Sequence, residues 1–338
     1  MLKSFSLKTR FSGALVRVAV LAVTLGFAGC TSSQQPTNSS SNTTSAASPS
    51  SANSSKPKVI ATNSVLCDIT EKIVQDSVDL TCLIPAGTDA HVYQPKPSDR
   101  KAIEEAKLIL YNGYGFEPSL IKLIQATKNQ APKVAVNEVA VPNPQQFEED
   151  GKTETDPHVW QNAQNGVRIV ETIRDNLEQV SPSNAVQYTD NAKKMTSELT
   201  QIDSWIKSQI STIPANQRKL VTTHDALGYY SKAYGIPVEG ALQGISTEER
   251  PTAAREKELV GVIKNANVPT IFAETTVNPK LIEAVAKDGK VKVSKREIFT
   301  DGLGEKGSEG DTYTKMLIAN TQTIVEGLGG KYTAFEPK

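Results

Sequence analysis

From Ser183 to Ile213 the chain carries neither Gly nor Pro, and Ala192, Met195, Leu199, Ile202, Ile206 and Ile210 recur at intervals of three and four. That spacing predicts one continuous helix with a single buried face. Ser181-Pro182 just before it supplies a capping residue and a proline suited to a first helical turn. About 30 residues rising ~1.5 Å each span roughly 45 Å, so the fold must be built around a stiff rod. On either side the same rhythm recurs. Candidate strands are Val59–Asn63, Val78–Ile84, Leu108–Asn112 and Lys133–Val139 before it, and Lys219–His224, Pro237–Leu242, Thr270–Glu274 and Lys292–Phe299 after it. Helical stretches such as Thr70–Gln75, Asp99–Ala106 and Pro118–Thr127 fall between them. Strands alternating with helices call for parallel sheets built from βαβ units. The expected fold is α/β: two (β/α) lobes with parallel sheets, 57–180 and 214–338, joined by one long rigid helix within 181–213.

The N-terminus reads as an export signal. Residues 1–29 hold Lys3, Lys8, Arg10 and Arg17 and no acid, followed by an apolar run from Val18 to Ala28. That run is too short for the ~20 residues a membrane-spanning helix needs. Phe27-Ala28-Gly29-Cys30 has the form of a lipobox, with Phe27 where Leu is usual, and makes Cys30 the expected site of lipidation. Residues 30–56 then form a tether: TSSQQPTNSSSNTTSAASPSSANSSK offers nothing to bury and cannot offset the entropy of ordering. A random coil of that length reaches roughly 25–30 Å. With Cys30 assigned, Cys67 and Cys82 remain in an oxidising compartment, where a disulfide is expected; the alternative is two buried thiols.

Without the four bases of the signal, 33 basic face 37 acidic residues. This is not the basic footprint a nucleic-acid partner leaves. The three histidines can each be weighed. His91 follows the second candidate strand, His158 lies after the long acidic loop 147–156 and before a helix, and His224 ends the strand Lys219–His224. Ligands of open parallel sheets bind beyond the carboxyl ends of strands, so the three imidazoles are candidate metal ligands. A fourth ligand would come from Asp301 or Glu274, each at the end of a candidate strand.

Several spaced motifs carry a resemblance. They are His91-Val-Tyr-Gln-Pro-Lys-Pro-Ser-Asp99, Ala106-Lys-Leu-Ile-Leu-Tyr-Asn-Gly113 with Glu117, and Asp156-Pro-His-Val-Trp160. Further along stand Val221-Thr-Thr-His-Asp-Ala-Leu-Gly-Tyr-Tyr230, Ser246-Thr-Glu-Glu249, Ile271-Phe-Ala-Glu-Thr275 and Asp301-Gly-Leu-Gly304. Over most of 57–330 the chain resembles the zinc- and manganese-binding solute-binding lipoproteins of ABC importers, the cluster A-I family. The resemblance implies two lobes joined by a rigid helix, an ABC importer permease as partner, and a zinc or manganese ion as bound cargo. It also implies that the ligands are His91, His158, His224 and Asp301. Two features depart from parts of the family. The region 144–155 is short and acidic where many zinc importers carry a His-rich loop, and the third ligand position holds His224 where many manganese-specific members have Glu.

Three imidazoles and a carboxylate suit a borderline-soft divalent ion, zinc before manganese. Asp225 and Glu274 are expected to orient imidazoles, while Tyr93, Trp160 and Tyr229 are expected to pack around the cleft. The expected protein is an exported, membrane-anchored monomer facing the periplasm or cell exterior, and not an enzyme. The rival readings are a metal-binding adhesin and a metallohydrolase; the latter finds no HExxH pattern, and serine catalysis finds no GxSxG.

Overall fold

The computed structural model describes residues 56–149 and 152–338; the expected signal 1–29, Cys30 and the tether up to residue 55 lie outside the described residues. The first lobe begins with β1 (Lys58–Ala61) and α1 (Ser64–Val74). The Asn63 side chain starts α1 by accepting the Leu66 N–H at 3.0 Å, which satisfies a donor that has no partner inside the helix. β2 (Asp79–Cys82), α2 (Pro97–Glu105), β3 (Leu108–Tyr111), α3 (Pro118–Ala126) and β4 (Lys133–Ala135) follow. Both α2 and α3 open on a proline, where a missing N–H costs nothing. The strands lie parallel in the order β2-β1-β3-β4, with Val59 opposite Leu108. In the central β1 and β3, Val59, Ile60, Ala61, Leu108, Ile109 and Leu110 are all buried, as unbroken apolar strands covered on both faces should be. A disulfide joins Cys67 of α1 to Cys82 at the end of β2, with the Cα atoms 5.7 Å apart.

Two expectations need correcting here. The strand expected over Lys133–Val139 stops at Ala135, and α4 (Val136–Ala140) begins at once. Asn137 is the cause. Its backbone N–H bonds the Asn112 carbonyl at 3.0 Å and its side-chain amide bonds the Asn112 side chain at 2.7 Å, which turns the chain beneath the end of β3. The acidic stretch expected to be a loop is an antiparallel hairpin, β5 (Gln146–Glu149) and β6 (Lys152–Thr155), with Gln146 opposite Thr155. Asp150-Gly151, a dipeptide favoured in two-residue hairpin turns, stands between them in the sequence.

Next come α5 (Ala163–Val180) and the long helix α6 (Ala185–Ser211). Ser181-Pro182 leads into a single 3-10 turn, Pro182–Asn184, so α6 starts later than the cap signal implied. Its 27 residues span about 40 Å. The stripe Ala192, Met195, Leu199, Ile202, Ile206, Ile210 is buried along its whole length.

The second lobe runs β7 (Leu220–Thr222), α7 (Gly228–Tyr234), β8 (Val238–Ala241), α8 (Ala253–Ala266), β9 (Thr270–Ile271), α9 (Pro279–Gly289), β10 (Lys292–Val293) and α10 (Tyr313–Gly327). β7 pairs with β8 and β9 with β10, both parallel. A bond from the Phe272 N–H to the Val221 carbonyl, 2.9 Å, brings the pairs together as β8-β7-β9-β10, the strand order of the first lobe repeated. α6 packs against α1 and α5 of the first lobe and against α7 and α10 of the second. The second-lobe strands are shorter than their apolar runs predict. Past the end of β7, the N–H groups of Thr223 and His224 donate to the Glu274 carboxylate rather than to a neighbouring strand. Beyond β9 and β10 only a single parallel bridge, Glu274 with Ile298, continues the pairing.

Candidate metal centre

His91 lies between β2 and α2, and His158 between β6 and α5. His224 follows β7, and Asp301 follows the Ile298 bridge. All four side chains are buried. The two first-lobe histidines are set by the same local device. The Asp89 carboxylate accepts the His91 N–H, and the Asp156 carboxylate the His158 N–H, each at 2.9 Å. An aspartate two residues ahead thus closes a side-chain turn that fixes where each imidazole leaves the backbone.

The four side chains converge. Asp301 Oδ1 lies 3.1 Å from His224 Nε2, 3.3 Å from His158 Nε2 and 3.6 Å from His91 Nε2. His91 Nε2 and His158 Nε2 are 3.3 Å apart. One donor atom from each of the four lies within 4.8 Å of all the others. A tetrahedral ion with bonds of ~2.0 Å holds its donors roughly 3.3 Å apart, close to the four separations of 3.1 to 3.6 Å. The site could hold a metal.

Converging lone pairs are tolerated only with positive charge among them. Burial opposes a proton on His158, but hydrogen bonds to Asp156 and Asp301 outweigh it and hold its pKa above the ordinary imidazole value. Burial likewise opposes charge on His224, yet the Asp301 and Glu274 carboxylates raise it well above that value. Burial would push Asp301 up; the charge of His224 and the hydrogen bonds from His158, His224 and His91 keep it well below the usual carboxylate range.

The outer ring nitrogens of two of the histidines are also engaged. His158 Nδ1 bonds Asp156 Oδ1 at 2.9 Å, and His224 Nδ1 bonds Glu274 Oε2. Glu274 Oε1 takes the Thr223 and His224 N–H groups at 2.8 Å each, and its Oε2 also takes the Thr300 hydroxyl at 3.1 Å. A carboxylate on Nδ1–H fixes the tautomer of the neutral ring, so that loss of the Nε2 proton leaves that lone pair facing the centre. The acid on the His224 ring is therefore Glu274, whereas the Asp225 backbone N–H bonds the Gly244 carbonyl at 3.0 Å. Asp156 was missed by sequence reading, although Asp-X-His occurs twice, at 89–91 and 156–158, and that recurrence is the signal that could have found it.

A wall of aromatic rings backs the first-lobe pair. Phe116 meets His91 edge-on at 4.9 Å between ring centroids and Trp160 at 4.8 Å, and Trp160 meets His158 at 5.5 Å. The lobes are bonded around the site. Trp160 Nε1–H donates to the Thr300 carbonyl at 3.2 Å, and the Gln161 amide donates to the Phe299 and Thr300 carbonyls at 3.1 and 2.9 Å. The Thr247 hydroxyl donates across the cleft to Asp89 Oδ2 at 2.6 Å. The Tyr93 hydroxyl sits between the Leu83 carbonyl and the Asp99 carboxylate, and the Tyr229 hydroxyl accepts the Gln145 N–H. Gly302-Leu-Gly-Glu-Lys-Gly307 has the glycine spacing of a dinucleotide loop, but no helix starts behind it; α10 begins only at Tyr313.

The model of the ZnuA family, described as the periplasmic zinc-uptake complex component A, matches residues 59–327. A manganese ABC transporter substrate-binding lipoprotein, PsaA of Streptococcus mitis, is 37% identical over 284 residues, covering 82% of this chain and 91% of that one. The metal ABC transporter substrate-binding lipoprotein ScbA of Streptococcus cristatus is 34% identical over 318 residues, covering 92% and 97%. Among solved structures, the periplasmic zinc binding protein TroA from Treponema pallidum superposes with a TM-score of 0.76 at 32% identity, over 81% of this chain and 99% of that one. The Mn-bound periplasmic metal binding protein from Candidatus Liberibacter asiaticus gives a TM-score of 0.71 at 26% identity, over 80% and 99%.

Proposed function

This chain belongs to the ZnuA family of metal-binding components of ABC importers, and on that premise we propose that it captures a divalent transition metal between its lobes and hands it to an importer's permease. His91 and His158 donate from the first lobe, 57–180, and His224 and Asp301 from the second, 214–338, with α6, within the linking segment 181–213, holding the two in register. The observation that carries this reading is the convergence of three Nε2 atoms on one carboxylate oxygen at 3.1 to 3.6 Å. Zinc is the favoured cargo and manganese the next. Three imidazoles suit zinc, and the Irving–Williams order places it above manganese at mixed nitrogen and oxygen sites. A catalytic zinc needs a coordination position open to water. Four protein donors fill a tetrahedral shell, which supports capture over hydrolysis.

Metal analysis of protein purified without chelator or added metal tests the reading. One equivalent of zinc or manganese is expected in the wild type, and its loss in His158→Ala and Asp301→Ala. Full metal content in both variants would refute the site. The same reading places the protein outside the cytoplasm as a monomer tethered by a lipid on Cys30, supported by the lipobox form of Phe27–Cys30 and the polar tether behind it. Cys30→Ala is expected to move the protein from the membrane fraction to the soluble one.

A further inference from the structure

The two oxygens of Asp301 keep different company. Oδ1 is the oxygen nearest each of the three imidazoles, at 3.1, 3.3 and 3.6 Å. Oδ2 accepts the hydroxyl of Thr276 at 3.2 Å. Thr276 is not placed there by chance rotation of a loop. Two residues before it, Glu274 pairs with Ile298 in the parallel bridge, and the Thr275 N–H bonds the Ile298 carbonyl at 3.1 Å. Three residues beyond Ile298 stands Asp301. Backbone pairing thus holds the two segments side by side just before Thr276 and Asp301, and keeps the hydroxyl within reach of the carboxylate.

We propose that Thr276 is a positioning residue that limits Asp301 to one coordinating oxygen and so sets the preference between zinc and manganese. The proposal rests on the reading of Asp301 as a ligand. A carboxylate chelates one ion with both oxygens only when both are turned toward it, and a donor engaging Oδ2 resists that rotation. One carboxylate oxygen and three imidazoles make the four-coordinate shell that zinc prefers. A second oxygen makes five donors, with more hard oxygen among them, which suits manganese. The hydroxyl of Thr276 thus holds the site in its zinc form. Without it, Asp301 can turn and chelate.

The experiment is a set of parallel zinc and manganese competition titrations on wild type, Thr276→Val, Thr276→Ala, Thr276→Ser and Asp301→Ala, with X-ray absorption on the manganese-loaded proteins. Thr276→Val removes the hydroxyl and keeps the bulk. Its manganese affinity relative to zinc is expected to rise roughly tenfold, the lower end of what groups holding metal ligands contribute, with an extra oxygen in the manganese shell. Thr276→Ala should show the same shift and carries the test if the valine variant fails to fold. Thr276→Ser keeps the donor and should match wild type in ratio and shell. Asp301→Ala should lose both metals. If it does, and the valine and alanine variants leave ratio and shell unchanged, the inference is overturned while the ligand set stands. If Asp301→Ala binds both ions as wild type does, the ligand set and this inference fall together.

Discussion

Replacing Glu274 by Gln should weaken zinc binding without touching any atom that faces the ion. Glu274 is wholly buried and serves four donors: two backbone N–H groups through Oε1, and the His224 ring and the Thr300 hydroxyl through Oε2. Gln has one acceptor oxygen. If that oxygen keeps the Thr223 and His224 N–H groups, an NH2 group faces His224 Nδ1. The ring then favours a proton on Nε2, the tautomer that cannot bind metal. If the oxygen turns to the ring instead, two buried N–H groups lose their partner. A hydrogen bond to a charged group contributes about 1.5–3 kcal/mol, and 1.4 kcal/mol is tenfold in affinity. The expected loss is therefore roughly 10- to 100-fold, which agrees with what removing a carboxylate behind a metal-bound histidine generally costs. The assay is competition against a chromophoric zinc chelator, alongside thermal melting of the metal-free protein to separate a binding defect from a folding one. A variant that melts as wild type does and binds zinc within about twofold of it would refute the view that Glu274 aims His224.

Metal binding needs neutral imidazoles, and the carboxylates around His158 and His224 hold their protons more tightly than the ordinary value of 6.5 implies. Affinity should therefore start to fall above the usual histidine range and keep falling toward pH ~5, since a raised pKa means protons compete earlier on acidification; a flat profile would contradict the ligand set. His224→Glu should bind both metals more weakly, because the new carboxylate faces that of Glu274, while the zinc-to-manganese ratio falls; a ratio that is unchanged or higher would remove His224 from the shell. Breaking the Cys67–Cys82 bridge, which spans 15 residues, should cost roughly 3 kcal/mol in denaturant melts with and without reductant. Two titratable thiols in the denatured, unreduced protein would contradict that bond.

What the sequence shows of this site depends on which atoms carry the information. The α6 stripe was legible because six apolar residues at helical spacing leave one possible face. The histidines were legible because each stands at the close of a segment readable by its apolar pattern or by the loop before a helix. Choosing Asp301 over Glu274 from residues alone was not possible. Both follow β-like runs, and the structure separates them only by which imidazole nitrogen each meets, Nε2 for Asp301 and Nδ1 for Glu274. The hairpin at 146–155 is not legible because its largely acidic and polar residues show no apolar alternation. The second-lobe strands were drawn too long for a different reason. The strand expected to reach His224 stops at Thr222 because the backbone donors beyond it are diverted to a side chain that lies fifty residues away in the sequence.

The bonds from Trp160 and Gln161 to the second lobe bear on how long an ion would stay. Both donors are buried, and both find their acceptors in the chain that leads to Asp301. Parting the lobes there strips two buried donors of their partners before water can replace them, at about 1–3 kcal/mol each. On the scale of 1.4 kcal/mol per decade, that slows spontaneous escape roughly 30-fold to 20,000-fold. Residence time is thereby partly uncoupled from equilibrium affinity, since the bonds re-form once the cleft has emptied. A carrier built this way would keep its cargo through diffusion and chance collisions.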